Sequence, residues 1–299
     1  MPLACLRTDA RPVEQGGEGM RLTSANAAFL MLGPIAFFVL FFLAPFGLLV
    51  AESFMRPDGG VTLGNYVSVL SDSYYWNALI NTLLISLWVT VVAFLLGYPL
   101  AYFIVFHVLR PWGRRLIYVL LMTPLFTSNI VRAFGWIVIL GRRGIVNATL
   151  LAVGLIDRPL DILYGKLSIV IGLAYILLPI MVLSICSVLQ TVDRSLIEAA
   201  RDLGARPSRA FVAVTFPLSL PGVVAGSIIV FALSVSAYVI PSILSGGREM
   251  VTPILIFQQY AATFRPDIGA TLSVVLLAVT LLLIGSYLIL FERRLRAVG

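Results

Sequence analysis

"SLIEAARDLGARPSRAFVAVTFPLSLPG", residues 195–222, sets a charged segment, a glycine and three prolines inside a chain that is 60% hydrophobic. Its flanks, 167–192 and 210–247, are uncharged runs longer than the roughly 20 residues that a helix needs to cross hydrocarbon. A segment this polar between two such runs belongs outside the bilayer. Asp193 has the side chain to cap a helix, residues 194–203 have helical character, and Gly204 stands where a left-handed C-terminal cap costs least. Pro207 then opens a second helical stretch, and Pro217 and Pro221 are expected to break the chain where it re-enters the membrane.

The rest of the chain agrees with that division. A mean hydropathy of +1.02 over 299 residues, with only 12% charged, belongs to an integral membrane protein. Windows 22–51, 73–106, 167–192, 210–247 and 268–291 are each long enough to span, and 116–141 makes a sixth if Arg132 is tolerated inside it. The first is too long for a signal-peptide core and reads as a retained helix, with Pro34 and Pro45 as places where it can kink. Two shorter apolar windows, 144–156 and 250–264, read as interfacial or re-entrant helices.

The formal charge of +7 is a matter of topology here and not of nucleic acid. Loops 1–26, 107–115, 190–209 and 292–299 carry 13 Lys/Arg in 63 residues, whereas 52–76, 141–166 and 242–267 carry 7 in 77. The positive-inside rule therefore puts both termini and the 195–222 stretch in the cytoplasm. Leu196, Ala199, Ala200 and Leu203 follow i, i+3, i+4, i+7 spacing, a narrow stripe whose alanines let another backbone come close. Such a stripe fits a groove in a protein better than a lipid surface, with Glu198 and Asp202 available at the rim.

The order "EAARDLG", nine residues, then "VTFP" resembles the EAA signature of binding-protein-dependent ABC importer permeases. Glu198, Ala199, Ala200, Gly204 and Pro217 match it, while Val214 and Phe216 stand where isoleucine and leucine are usual. "LGNYVSVLSDSYYWNALINTL", "GYPLAYFI", "TPLFTSNIVRAFGWIVILGRRGIVNATLL", "TFPLSLPGVVAGSIIVFALSVSAYVIPSILSGG" and "GATLS" extend the likeness over most of the chain. They resemble the spermidine/putrescine branch, on the side of the first of its two membrane subunits; permeases for iron, thiamine, opines and organophosphonates are similar in sequence. The resemblance implies an all-α integral membrane protein of the type I ABC importer permease kind, with six transmembrane helices and a cytoplasmic coupling helix. It divides the chain into a cytoplasmic segment 1–26, a permease domain 27–291 containing the coupling segment 193–217, and a cytoplasmic tail 292–299. Glu198, Ala199, Ala200, Leu203, Gly204 and Pro217 would couple to the ATPase. The implied partners are two copies of that cytoplasmic ATPase, a second related permease, an extracytoplasmic solute-binding protein and membrane lipid, with no nucleic acid.

Nothing in the chain is expected to hydrolyse ATP. No G-x-x-x-x-G-K-[ST] loop occurs, and "YGKLS" lacks the glycine that begins one. No catalytic, cofactor-binding or metal-binding residue is expected in this chain; ATP and magnesium belong to the partner ATPase. Cys5 and Cys186 have no metal or disulfide spacing, and the single histidine, His107, sits beside a basic turn. Ionisable groups are nearly absent from the spans, which disfavours an ion-coupled secondary carrier, the alternative from another class. For the pathway, Arg132, Trp136 and Tyr238 are the candidates. Arg132, about 24 Å along a helix begun at Leu116, has three readings open: gate or helix organisation, snorkelling to the outer interface, and contact with solute. Tyr98, Tyr102, Trp136, Tyr175 and Tyr238 offer aromatic faces for a cation, although membrane proteins also gather Tyr and Trp at headgroup depth. Gly222 and Gly226, at G-x-x-x-G spacing, permit close helix packing within the chain or between two permeases.

Overall fold

The computed structural model describes residues 24–296 apart from Pro57 and Leu109, and side chains from 31 to 291. Most of segment 1–26 and the last three residues of tail 292–299 therefore lie outside the described residues. The secondary structure is helical; the β pairing among the described residues is an isolated bridge between Met55 and Val61.

The described residues up to Leu49 form one compact unit and those from Val50 onwards a second. In the first, helix α1 (Ser24–Phe38) carries Pro34 inside it, a π turn follows at Val39–Leu43, and α2 (Ala44–Ser53) begins. The π turn comes just before Pro45, and the Ala44 N–H reaches back to Val39 O. Proline cannot donate and its ring crowds the carbonyl four residues earlier, so a wider turn at that point relieves both conflicts. All residues from 31 to 48 are exposed.

The second unit contains α3 (Gly64–Ser71), α4 (Ser73–Phe106), α5 (Pro111–Phe126), α6 (Asn129–Leu140), α7 (Ile145–Ala152) and α8 (Lys166–Leu189). It continues through α9 (Arg194–Asp202), α10 (Pro207–Ala210), a π turn at Phe211–Thr215, α11 (Phe216–Val235), α12 (Val239–Leu244), α13 (Thr252–Ala261) and α14 (Pro266–Arg296). Over the described residues, six stretches are long and apolar enough to cross a membrane: Met31–Ser53, Ser73–Phe106, Asn129–Ala152, Lys166–Leu189, Pro207–Val235 and Pro266–Phe291.

The core lies where α4, α8 and α11 meet, around Val89, Ala93, Met181, Val182, Ile185 and Val230. α4 and α8 run parallel: Lys166 Nζ donates to Asn81 Oδ1 at 2.8 Å near their starts, and the Cys186 thiol lies 3.8 Å from Ala101 O towards their ends. α11 runs against them. Both glycines of the G-x-x-x-G pair face α8: a Cβ on Gly222 would stand 2.7 Å from Ser184 O, and one on Gly226 would stand 2.9 Å from Met181 Sδ. This pair therefore serves packing within the chain. Lipid tails are as apolar as these side chains, so close contact of this kind supplies much of what holds the helices together.

Three expectations need correction. Residues 116–141 do not make one helix, because the chain is extended at Thr127 and Ser128, between α5 and α6. Pro124 removes a donor there, and the Thr123 and Thr127 hydroxyls bond back to carbonyls four residues earlier, which loosens a helix. Arg132 consequently belongs to the first turn of α6 and not to a point 24 Å along an unbroken helix. Second, Pro217 and Pro221 do not break the chain; the helix is continuous over Pro207–Val235, with a π turn immediately before Pro217 that repeats the arrangement before Pro45. Third, 210–247 is not one span, since α11 ends at Val235 and α12 is a separate short helix. The 250–264 window appears as the short helix α13, and 144–156 as α7, which lies within the apolar stretch Asn129–Ala152 and not apart from the crossings. Asn147, fully buried, accepts from Leu160 N–H and donates to Gly141 O and Leu160 O, so its side chain ties that loop together.

Candidate functional site

α9 forms for local reasons. The Asp193 carboxylate accepts the Ser195 N–H at 2.9 Å, which satisfies one of the orphan donors of the first turn. At the other end, Gly204 N–H reaches Arg201 O at 2.8 Å and Ala205 N–H reaches Ala200 O at 3.0 Å, the paired bonds of a Schellman cap. Gly204 takes φ +85°, and nothing lies within 4 Å of where its Cβ would be. Glycine is there for its backbone freedom and not for space.

The helix is amphipathic in an unusual sense, because its apolar residues face outwards. Leu203 is 90% exposed and Leu196 49%, with Ala199 exposed between them and Glu198 exposed beside them. Ala200, expected in the same stripe, is half-buried and turned towards the body of the protein, as is Ile197. The outward apolar face is therefore Leu196, Ala199 and Leu203. Pro217 lies well along the following helix, exposed, after the π turn against which α9 packs.

Sequence reasoning missed Arg194. Its guanidinium donates to Val105 O, in the last turn of α4, at 3.3 Å and lies 5.8 Å from the centre of the Phe106 ring. Arg114 at the start of α5 donates to the same carbonyl at 3.3 Å and to Val108 O at 3.2 Å. The available signal was electrostatic. A cation at the first position of a helix opposes that helix's own dipole, so it is better placed when turned to the carbonyl end of another.

The pathway candidates are less tightly joined. Arg132 Nε donates to Ser128 O at 3.4 Å and its Nη2 to Asn129 Oδ1, while its Nη1 is buried without an acceptor. Trp136, one turn further on the same face, meets Tyr175 of α8 edge to face at 5.6 Å. Tyr238 immediately precedes α12, and its ring lies 4.8 Å from the Phe257 ring. α6 packs on both α8 and α12, so the three share neighbours, but no hydrogen bond or ring contact joins them to one another among the described residues. Tyr98 is no longer a free aromatic face: it is 6% exposed, surrounded by Phe94, Phe211 and Phe216, and its hydroxyl is 2.8 Å from Ser219 Oγ. Tyr102 is similarly enclosed by Phe106, His107 and Phe211. Among the described residues no cluster of His, Cys, Asp and Glu has the geometry for a metal ion.

Comparison with known proteins adds to this geometry. The family model described as "Binding-protein-dependent transport system inner membrane component" matches residues 90–297. The spermidine/putrescine transport system permease protein PotB of Haemophilus influenzae is 32% identical over 255 residues, 83% of this chain and 88% of that protein. Its namesake in Escherichia coli K12 is 32% identical over 261 residues, 85% of this chain and 93% of that one. Among solved structures, a bacterial ABC transporter involved in the import of the acidic polysaccharide alginate superposes with a TM-score of 0.74 at 18% identity, covering 89% of this chain and 95% of its counterpart. That last likeness is one of fold.

Proposed function

The chain belongs to the family of binding-protein-dependent transport system inner membrane components, and on that premise we propose that it is one of two membrane subunits of an ATP-driven importer of polyamines. The observation that carries the mechanism is α9. It is capped at both ends, packed against the π turn, and offers Leu196, Ala199 and Leu203 outwards, as a helix destined for a groove in another protein would. Two copies of a cytoplasmic ATPase, binding ATP and magnesium, would receive this helix and its counterpart in a second related permease. Both termini would lie on the ATPase side, as the charge asymmetry of the loops favours. ATP-driven closure would move the docking helices and open the path between the membrane subunits outwards, where a binding protein delivers solute. Hydrolysis would reset it.

The polyamine assignment rests on the named relatives and is tested separately from the mechanism. Intact-complex mass analysis in mild detergent should find two ATPase copies and one related permease with the wild-type chain. Ala199→Arg or Leu203→Asp should insert normally but retain ATPase more weakly by about 2 kcal/mol or more, roughly thirtyfold. A wild-type chain that carries no ATPase under conditions preserving other complexes would overturn the importer reading. In proteoliposomes of the complete complex, uptake of spermidine or putrescine should depend on ATP and on the binding protein. Uptake of neither, with ATPase bound, would remove the polyamine label and leave the importer.

A further inference from the structure

α9 can pull on the membrane helices only where it is attached to them, and two attachments are visible. One is the chain itself, which leaves α9 through Gly204 and enters the helix Pro207–Val235 at the π turn Phe211–Thr215. The other is Arg194. This residue stands at the first position of α9, where a positive charge is disfavoured by the helix's own N–H groups, yet the last turn of α4 presents carbonyls that lack intrahelical donors. The guanidinium meets both surfaces of that turn, the Val105 carbonyl at 3.3 Å and the Phe106 ring at 5.8 Å. A charge-assisted bond and a cation–π contact from one planar group fix orientation as well as distance.

The two attachments converge. The Phe211 ring, at the head of the π turn, meets Tyr102 edge to face at 5.3 Å and Tyr98 at 5.8 Å, and the Tyr102 ring lies tilted against Phe106 at 4.8 Å. Arg194, the end of α4 and the foot of α11 are thus parts of one aromatic joint. We propose that Arg194 is the positioning residue that makes a displacement of α9 a displacement of α4, so that the docking helix drives both α4 and α11 and not the latter alone. This inference rests on the importer reading and deepens it. Its physical content is that an element moved by one ligand must be joined through contiguous packing and hydrogen bonds to the element that opens for the other.

The test uses the complete complex in liposomes, with Arg194→Ala and Arg194→Lys. Arg194→Ala should keep both ATPase copies and basal ATP hydrolysis, but solute-loaded binding protein should no longer stimulate hydrolysis and uptake should fall by about tenfold or more. Arg194→Lys should recover part of the stimulation, since an ammonium can still donate to Val105 O but cannot lie flat over Phe106. Wild-type uptake per ATP in Arg194→Ala would overturn the proposal, and so would loss of the ATPase copies, which would make Arg194 part of the docking surface. A measurement that leaves Arg194 in place guards against a variant that fails to assemble. Spin labels at Ser195→Cys and His107→Cys should keep one separation in nucleotide-free and ATP-bound states, and a change between the states would show that α9 slides past α4. A wild-type complex without ATPase would remove the importer reading before any substitution is made, so the two failures are told apart.

Discussion

At Asp193 the carboxylate is held below its ordinary value of 3.8, first by the hydrogen bond from the Ser195 backbone N–H. A carboxyl with a depressed pKa stabilises the fold when charged: the contribution is complete above the ordinary value and is lost as pH falls through the lowered one. Retention of the ATPase by α9 should therefore be flat across neutral and mildly acidic pH, as read by co-purification. Asp193→Asn, an equally good cap, should behave as wild type, whereas Asp193→Ala should fray the helix and weaken retention. Capping of this kind was legible in the sequence because it is decided within a few residues, as was the left-handed Gly204. Arg194 was not, since its partner Val105 lies 89 positions away and no periodicity connects them. Arg132 falls between these cases: its cost in the membrane was legible, but its acceptors depend on an extended Ser128 that hydropathy does not report.

At the scale of elements, the α8–α11 contact is set by two glycines that differ in what they face. A Cβ on Gly222 would press on the backbone oxygen of Ser184, which cannot move without the helix, while one on Gly226 would press on the thioether of Met181, which can swing aside. Gly222→Ala should destabilise the protein by about 1–3 kcal/mol and Gly226→Ala by distinctly less. Thermal unfolding in detergent ranks the two, and an equal or reversed order would refute this packing. The spacing showed that close approach was possible but not with which helix. Helix interruptions were harder still. An uncharged window records only that a segment is apolar, so the Thr127–Ser128 break passed as one span. The prolines misled in the opposite direction: Pro217 breaks a helix by rule, yet one wider turn before it absorbs the conflict.

For the whole molecule, hydropathy and charge sufficed for the fold class and for six crossings, because burial in lipid demands helices of a known length. The parallel course of α4 and α8 follows from that count. The share of the site that we propose other chains to supply does not, since Leu196, Ala199 and Leu203 show only this chain's side of it. The interrupted third crossing also bears on how the protein is made. α5 has 16 residues, and in the crossing Asn129–Ala152 α6 has 12 before the turn that leads into α7, so neither α5 nor α6 alone is a self-sufficient span, and Arg132 adds a cost of about 2.5–3.5 kcal/mol to crossing the bilayer. When the ribosome has delivered these two, α8, against which both pack, has not yet emerged. The crossing should therefore remain uncommitted until α8 arrives, and membrane integration should run out of order along the chain. A chain truncated after Ala152 should leave a tag at its end unglycosylated in microsomes, and an internal tag at the same place should become glycosylated once synthesis extends past Leu189; glycosylation of both would mean that the broken helix inserts unaided.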